Sequence, residues 1–236
     1  MRLRSHLLPA VALLLCAALF IYLGAWQAGK GDRLAQALAQ QAQRSQLGPV
    51  QVTAQPLSAL EVQDAPLRVA GSYDPAHQIF LDNRQHNGQP GVHVITPLKI
   101  EGSDTYILVN RGWVGWQLGR SVLPVVGTPP GRVEVTGLAA VPSTKKFFLM
   151  PDRPEEHPKL WERLDLPRAE AMLGRTLQPV VLQQTGGDAP DTLVRVWSPP
   201  EDRVAKHQGY AFQWYGMAVV WLALSLFAGF RKAGAA

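Results

Sequence analysis

Cysteine is almost missing from this chain of 236 residues, and the single one, Cys16, lies inside an apolar run. The rest of the chain therefore has no disulfide and no thiolate pair. That excludes a disulfide scaffold, thiol–disulfide exchange and copper delivery through a Cys-x-x-x-Cys site. Charge is the second scarcity, because no charged side chain occurs from Leu7 to Ala28 or from Gln208 to Phe230. The third is catalytic punctuation. No H-E-x-x-H, G-x-S-x-G, Walker loop or G-x-G-x-x-G is present, so the chain reads as a non-enzyme. Lys and Arg outnumber Asp and Glu, 23 to 18, but they are dispersed and several sit at the ends, so nucleic acid is not an expected partner. The six histidines, His6, His77, His86, His93, His157 and His207, are scattered. His77 and His93 flank a candidate hairpin and could form a metal site with Asp82, although strand histidines more often serve as surface or hydrogen-bonding groups.

What the chain does have is two long uncharged apolar runs. Each matches the roughly 20 residues a helix needs to cross about 30 Å of hydrocarbon. A cleavable signal peptide is the competing reading of the first run. Its length, and the lack of a small-x-small site in "YLGAWQAGK", favour a retained anchor. The expected organisation is a first span over 7–28, a membrane-exit helix over 29–47, an outer domain over 48–205 and a second span over 208–230. Arg2 and Arg4 precede the first span, and Arg231 and Lys232 follow the second. Basic residues stay on the cytoplasmic side, which predicts a multi-pass protein with both termini cytoplasmic. No room remains ahead of the first span for a mitochondrial transit peptide. A bacterial cell inner membrane, with the lipid bilayer as a partner and the central domain periplasmic, fits this pattern.

Beyond the first span, "GKGDRLAQALAQQAQRSQ" carries Leu34, Ala35, Leu38 and Ala42 at helical spacing, with Asp32 placed to cap the amino end. After Gly48-Pro49 the pattern turns to short β-type segments. "HQIFLDNRQHNGQPGVHVITPLKI" reads as a hairpin turning at Asn87-Gly88, with "QPG" expected to lengthen the loop beyond two residues. "TYILVNRGWVGW", "GRVEVTGLAAVP", "TLQPVVLQQT" and "TLVRVWSPP" read as further strands, and "LDLPRAEAMLG" as a short helix from Asp165 to Gly174. "VPSTKKFFLMPDRPEEHP" reads as a loop. The predicted class is a membrane protein with two transmembrane helices flanking a mostly antiparallel β (α+β) extracytoplasmic domain.

Two stretches are candidate sites. In "LVNRGWVGW", Tyr106, Leu108 and Asn110 should share one face and Ile107, Val109 and Arg111 the other, with the strand ending in a Gly turn before Trp113. This block is either a packed strand end or a contact surface, since Arg and Trp are favoured interface anchors. In "HQGYAFQWYGMAVVW", a helix puts His207, Tyr210, Ala211, Trp214, Ala218 and Trp221 on one face. An aromatic interfacial belt explains part of it, because Tyr22 and Trp26 mark the same boundary on the first span. An imidazole above aromatic walls could also hold a flat apolar ligand such as a heme.

The blocks "LGAWQAGKGDRLAQ", "GSYDPAHQIFLDNR", "GQPGVHVITPLKI", "YILVNRGWVGW" and "HQGYAFQWYGMA", in this order between two spans, resemble the surfeit locus protein 1 family of cytochrome c oxidase assembly factors, bacterial type. The resemblance runs nearly end to end. It implies a protein needed to mature a heme-copper oxidase, which binds heme A and aids its insertion, with oxidase subunit I and heme A synthase as partners. His207 matches the family's histidine implicated in heme binding, with Tyr210 and Trp214 beside it as cofactor-binding residues and the heme iron as the metal His207 would ligate. The blocks holding Gly71 and Tyr73, and Asn110, Arg111, Gly112 and Trp113, match recurrent family motifs and are candidate partner contacts. The other expectation is a cofactor-free membrane scaffold that stabilises an oxidase assembly intermediate.

Overall fold

A computed structural model describes residues 4–120, 122–142, 158–187, 191–197 and 202–233. Arg2, His157 and most of the expected loop over 141–158 lie outside them. The chain divides into two compact units, Gln41–Trp197 and the pair of terminal segments Met1–Gln40 and Ser198–Ala236.

The terminal unit is built from α1 (Arg4–Arg44) and α4 (Asp202–Ala233). Both are long and apolar enough to cross a membrane. The first run and the expected exit helix form one uninterrupted helix, so Asp32 lies mid-helix and caps nothing. No proline occurs in α1 after Pro9, and a continuous i to i−4 ladder offers no reason to stop at Gly29 or Gly31.

The central unit is a mixed sheet. In chain order it contains β1 (Val50–Gln51), α2 (Ala59–Val62), β2 (Pro66–Tyr73), β3 (Ile79–His86), β4 (Gln89–Ile100), β5 (Tyr106–Gly115), β6 (Arg132–Ala140), β7 (Leu160–Trp161), α3 (Leu166–Leu173) and β8 (Leu177–Gly187). The strand order is β1-β2-β6-β8-β5-β4-β3-β7, and an extra β2–β4 pairing closes β2, β6, β8, β5 and β4 into a five-stranded ring. β4 makes this possible by pairing with β3 through its first half and with β2 through Leu98, Lys99 and Ile100. At the closure Gly71 lies opposite Ile100, and any Cβ there would overlap the Lys99 carbonyl oxygen.

Five of the eight strand pairings among the described residues are antiparallel, as expected, and the sheet is mixed because β1–β2, β3–β7 and β5–β8 pair in parallel. β8 returns to β5 only after a long crossover that includes β6 and α3, the kind of connection parallel pairing requires. The hairpin also differs. His86 pairs with Gln89, leaving a two-residue turn at Asn87 and Gly88 with φ of 49° and 77°. Both central residues are left-handed, as in a type I′ turn, and "QPG" belongs to β4 instead of lengthening the loop. The described part of "TLVRVWSPP", residues 192–197, makes a bridge between Val194 and Trp113 instead of a strand. α3 is as expected, with Asp165 Oδ1 accepting from Arg168 N at 3.1 Å and Gly174 left-handed at φ 61°.

Two-fold alternation fills the ring. Ile107 and Val109 of β5 and Val180 and Leu182 of β8 meet Leu67, Val69, Leu98, Val133 and Val135 inside. Leu108 and Val181 point outward to a second cluster with Ile79, Ile95, Trp161 and Ala169 beneath α3. Each of these buried aliphatic side chains contributes about 1.5–3 kcal/mol.

Candidate functional site

On the helix pair, the sequence-predicted stripe is a packing seam. The least exposed positions of α4 include Val204, His207, Ala211, Trp214, Ala218, Trp221 and Ser225, spaced alternately by three and four residues. On α1 the matching positions are Leu13, Ala17, Phe20, Gly24, Gln27, Gly31 and Leu34. This is the 3.5-residue repeat of a left-handed antiparallel pair. Small residues let the helices approach. A Cβ on Gly24 would lie 2.6 Å from the Tyr215 ring, and one on Gly31 would lie 3.4 Å from His207 Cβ. Phe20 stacks on Trp214 at 6.0 Å between centroids and meets Trp221 edge-on at 6.2 Å, while Trp221 Nε1–H donates to Leu13 O at 3.2 Å. Trp214 thus faces α1 instead of an open groove. Tyr210 is turned off the seam and is 53% exposed.

His207 is half-buried at one end of this seam. Its Nδ1 lies 2.9 Å from Gln27 Oε1. An amide oxygen only accepts, so Nδ1 carries the proton and Nε2 keeps its lone pair. Among the described residues nothing hydrogen-bonds Nε2. A histidine anchored through one ring nitrogen with the other left basic is the arrangement metal-ligating imidazoles use, so His207 could hold a heme iron. The flat aromatic bed beneath it is already filled by Phe20. Gln27 was missed by sequence reasoning, although an uncharged amide at a seam position inside an apolar helix was a readable signal.

In the central unit the Asn110–Trp113 block is interior. Arg111 is 1% exposed. It projects into one end of the ring, where its guanidinium donates to Gly127 O at 2.8 Å and Asp191 Oδ2 at 3.3 Å and sits 5.3 Å from the centre of the Tyr73 ring. Arg195 holds the other oxygen of Asp191. Burial outweighs the Arg111 charge at Tyr73 and pushes its hydroxyl up to about 12, so the phenol stays neutral. Gly112, at φ 143°, lets Leu193 and Val194 pack against the strand, and Trp113 Nε1–H donates to Arg84 O at 3.3 Å. Gly71 is the closure glycine described above. The structure therefore brings Tyr73 and Arg111 together, and these motif residues hold the domain's own parts to one another. Asn110 Nδ2 lies 3.1 Å from His93 Nδ1. Burial, with a smaller contribution from Arg84, pushes His93 down to about 4. His77 bonds Asp74, and Asp82 is paired with Arg120, so His77, His93 and Asp82 do not converge. No cluster of three ligating side chains occurs among the described residues.

Comparison with known proteins adds a separate line of support. The SURF1 family profile matches residues 14–219. The chain is similar to Surfeit locus protein 1 of Xenopus tropicalis, 25% identical over 213 residues covering 83% of this chain and 67% of that protein. It is likewise similar to Surfeit locus protein 1 of Rattus norvegicus, 25% identical over 230 residues covering 89% and 71%. A SURF1-like protein of Monosiga brevicollis is 26% identical over 147 residues, covering 62% and 54%.

Proposed function

The chain belongs to the SURF1 family, and from that membership we propose that it is an inner-membrane assembly factor for a heme-copper cytochrome c oxidase. In this reading it binds heme A, received from heme A synthase, and aids its insertion into subunit I. Both termini are cytoplasmic and the β-rich unit periplasmic. The supporting observation is the pair His207 and Gln27. His207 Nε2 would hold the heme iron while Gln27 keeps the imidazole in the basic tautomer and fixes the ring plane. The bound heme would supply an iron centre able to accept a neutral imidazole nitrogen. Tyr210, exposed beside His207, would cover part of the macrocycle. The protein's own contribution is binding, orientation and release.

The scaffold reading is favoured by a different observation, the Phe20–Trp214 stack that fills the seam below His207. Absorbance of the protein purified after production alongside heme A synthesis separates the two. The chaperone reading expects heme A bands that weaken or shift in His207→Ala, with membrane insertion intact because the apolar length is unchanged. Identical occupancy and spectrum in that variant would leave the scaffold.

A further inference from the structure

A cleft of about 520 Å³ opens on the central unit between β3, β5 and the segment following β6. Arg84, His93 and Asn110 line it, and Asn83, Glu162 and Arg163 complete its polar rim. Two bulges shape it. One in β3 lies between Leu81 and Arg84, where Asn83 takes a left-handed φ of 56°, and the other lies between β4 and β5 at Arg111. Bulges re-aim side chains and concentrate beside functional sites.

Two groups at the floor of this cleft, on Asn110 and His93, are left unmatched among the described residues. Asn110 is only 6% exposed, and its Oδ1 is buried without a hydrogen-bond partner among the described residues. Its Nδ2 donates to His93 Nδ1, which places the neutral imidazole's proton on Nε2, and among the described residues that N–H has no acceptor. Arg84 is half-buried, and that partial burial holds its guanidinium below the usual arginine range. The charge of Asp82 acts on it, yet both carboxylate oxygens of Asp82 are engaged, one with Arg120 and one with Asn83 N. A half-buried cation, an N–H donor and a buried amide oxygen without a partner are complementary to one kind of ligand.

We propose that this cleft binds the free carboxyl end of an extended peptide. The carboxylate pairs with Arg84, which its planar fork suits, and accepts from His93 Nε2–H. The amide N–H of the same terminal residue donates to Asn110 Oδ1. A carboxylate and an N–H two bonds apart from one α-carbon match a cation and an acceptor set side by side. A carboxylate alone leaves Asn110 unmatched, and an amidated end leaves Arg84 unmatched.

The test uses the full chain in detergent micelles with its histidines ¹³C-labelled at Cε1, the His93 signal being assigned by His93→Gln. N-acetyl-Ala-Ala, its C-terminal amide and acetate are titrated separately at pH 7. The free acid is expected to move the His93 signal saturably. The amide and acetate should bind at least tenfold more weakly, and Arg84→Gln should weaken the free acid by at least tenfold. Arg84→Lys should recover part of the loss, as a point charge without the fork. Equal binding of the amide, equal binding of acetate, or no saturable shift with the free acid overturns the proposal. All three are read on the unaltered chain, so a variant that misfolds does not shelter it.

Discussion

His207 donates its Nδ1 proton to Gln27 Oε1 at 2.9 Å, joining side chains 180 residues apart in sequence. The bond makes Nε2 the basic nitrogen before any ligand arrives. Gln27→Leu, which keeps the helix apolar but removes the acceptor, should lower heme A affinity by about 10–100-fold, the usual cost of losing a ligand's supporting hydrogen bond. Gln27→Glu should retain or tighten binding. Spectrophotometric titration of the purified variants with heme A reads both.

Arg111 is held by Asp191 and the Gly127 carbonyl inside the ring. Arg111→Ala leaves Asp191 paired only with Arg195 and should cost about 3–5 kcal/mol. Arg111→Lys keeps the charge but loses the Nη1 contacts to Gln78 and Thr128 and the planar face over Tyr73, so about 1–3 kcal/mol is expected. Thermal unfolding of the detergent-solubilised chain, together with its steady-state level in cells, measures the loss.

Gly71→Ala puts a methyl group against the Lys99 carbonyl at the β2–β4 closure. The obstacle is backbone, so relief requires opening the ring, and a destabilisation of about 1–3 kcal/mol is expected. Gly88→Ala, at the exposed hairpin turn with open space around it, should cost less, limited to the strain of its left-handed φ. Urea midpoints of the two variants provide the comparison.

His93 sets an acid limit. Its folded value is about 4 against an ordinary 6.5, with burial the larger cause and Arg84 the smaller. Above pH 6.5 both folded and unfolded forms are neutral and stability is full. As pH falls from 6.5 toward 4 the unfolded chain gains the proton that the fold refuses, and stability drains by on the order of 3 kcal/mol before levelling off. Urea midpoints between pH 4 and 8 should show this fall, and His93→Gln should flatten it.

Much of this architecture was readable from local pattern. The two uncharged runs are helices, α3 begins and ends at its Asp and Gly signals, and the alternation in "YILVNR" places Ile107 and Val109 inside the ring and Leu108 outside. What escaped depends on partners distant in sequence. Nothing local to β8 says that it runs parallel to β5, and "TLVRVW" looks like a strand until Trp113 takes only one of its residues. For the same reason "LVNRGWVGW" stayed open between a packed strand end and a contact surface. What holds Arg111 inside the ring is Asp191, 80 positions away. On α4, helical periodicity found the face that is used, but could not tell a ligand groove from a face already covered by α1.

β8 lies between β5 and β6 in the ring, yet it is made after both. On a growing chain, β5 and β6 must each wait with a bare edge until the last strand slides between them, and that strand brings Val180 and Leu182 to plug the interior. A nascent chain that ends at Ala140 therefore has every earlier strand and still no sealed core. Premature stops anywhere before Gly187 should yield sticky, degradable fragments instead of smaller working domains, because this sheet closes from its middle.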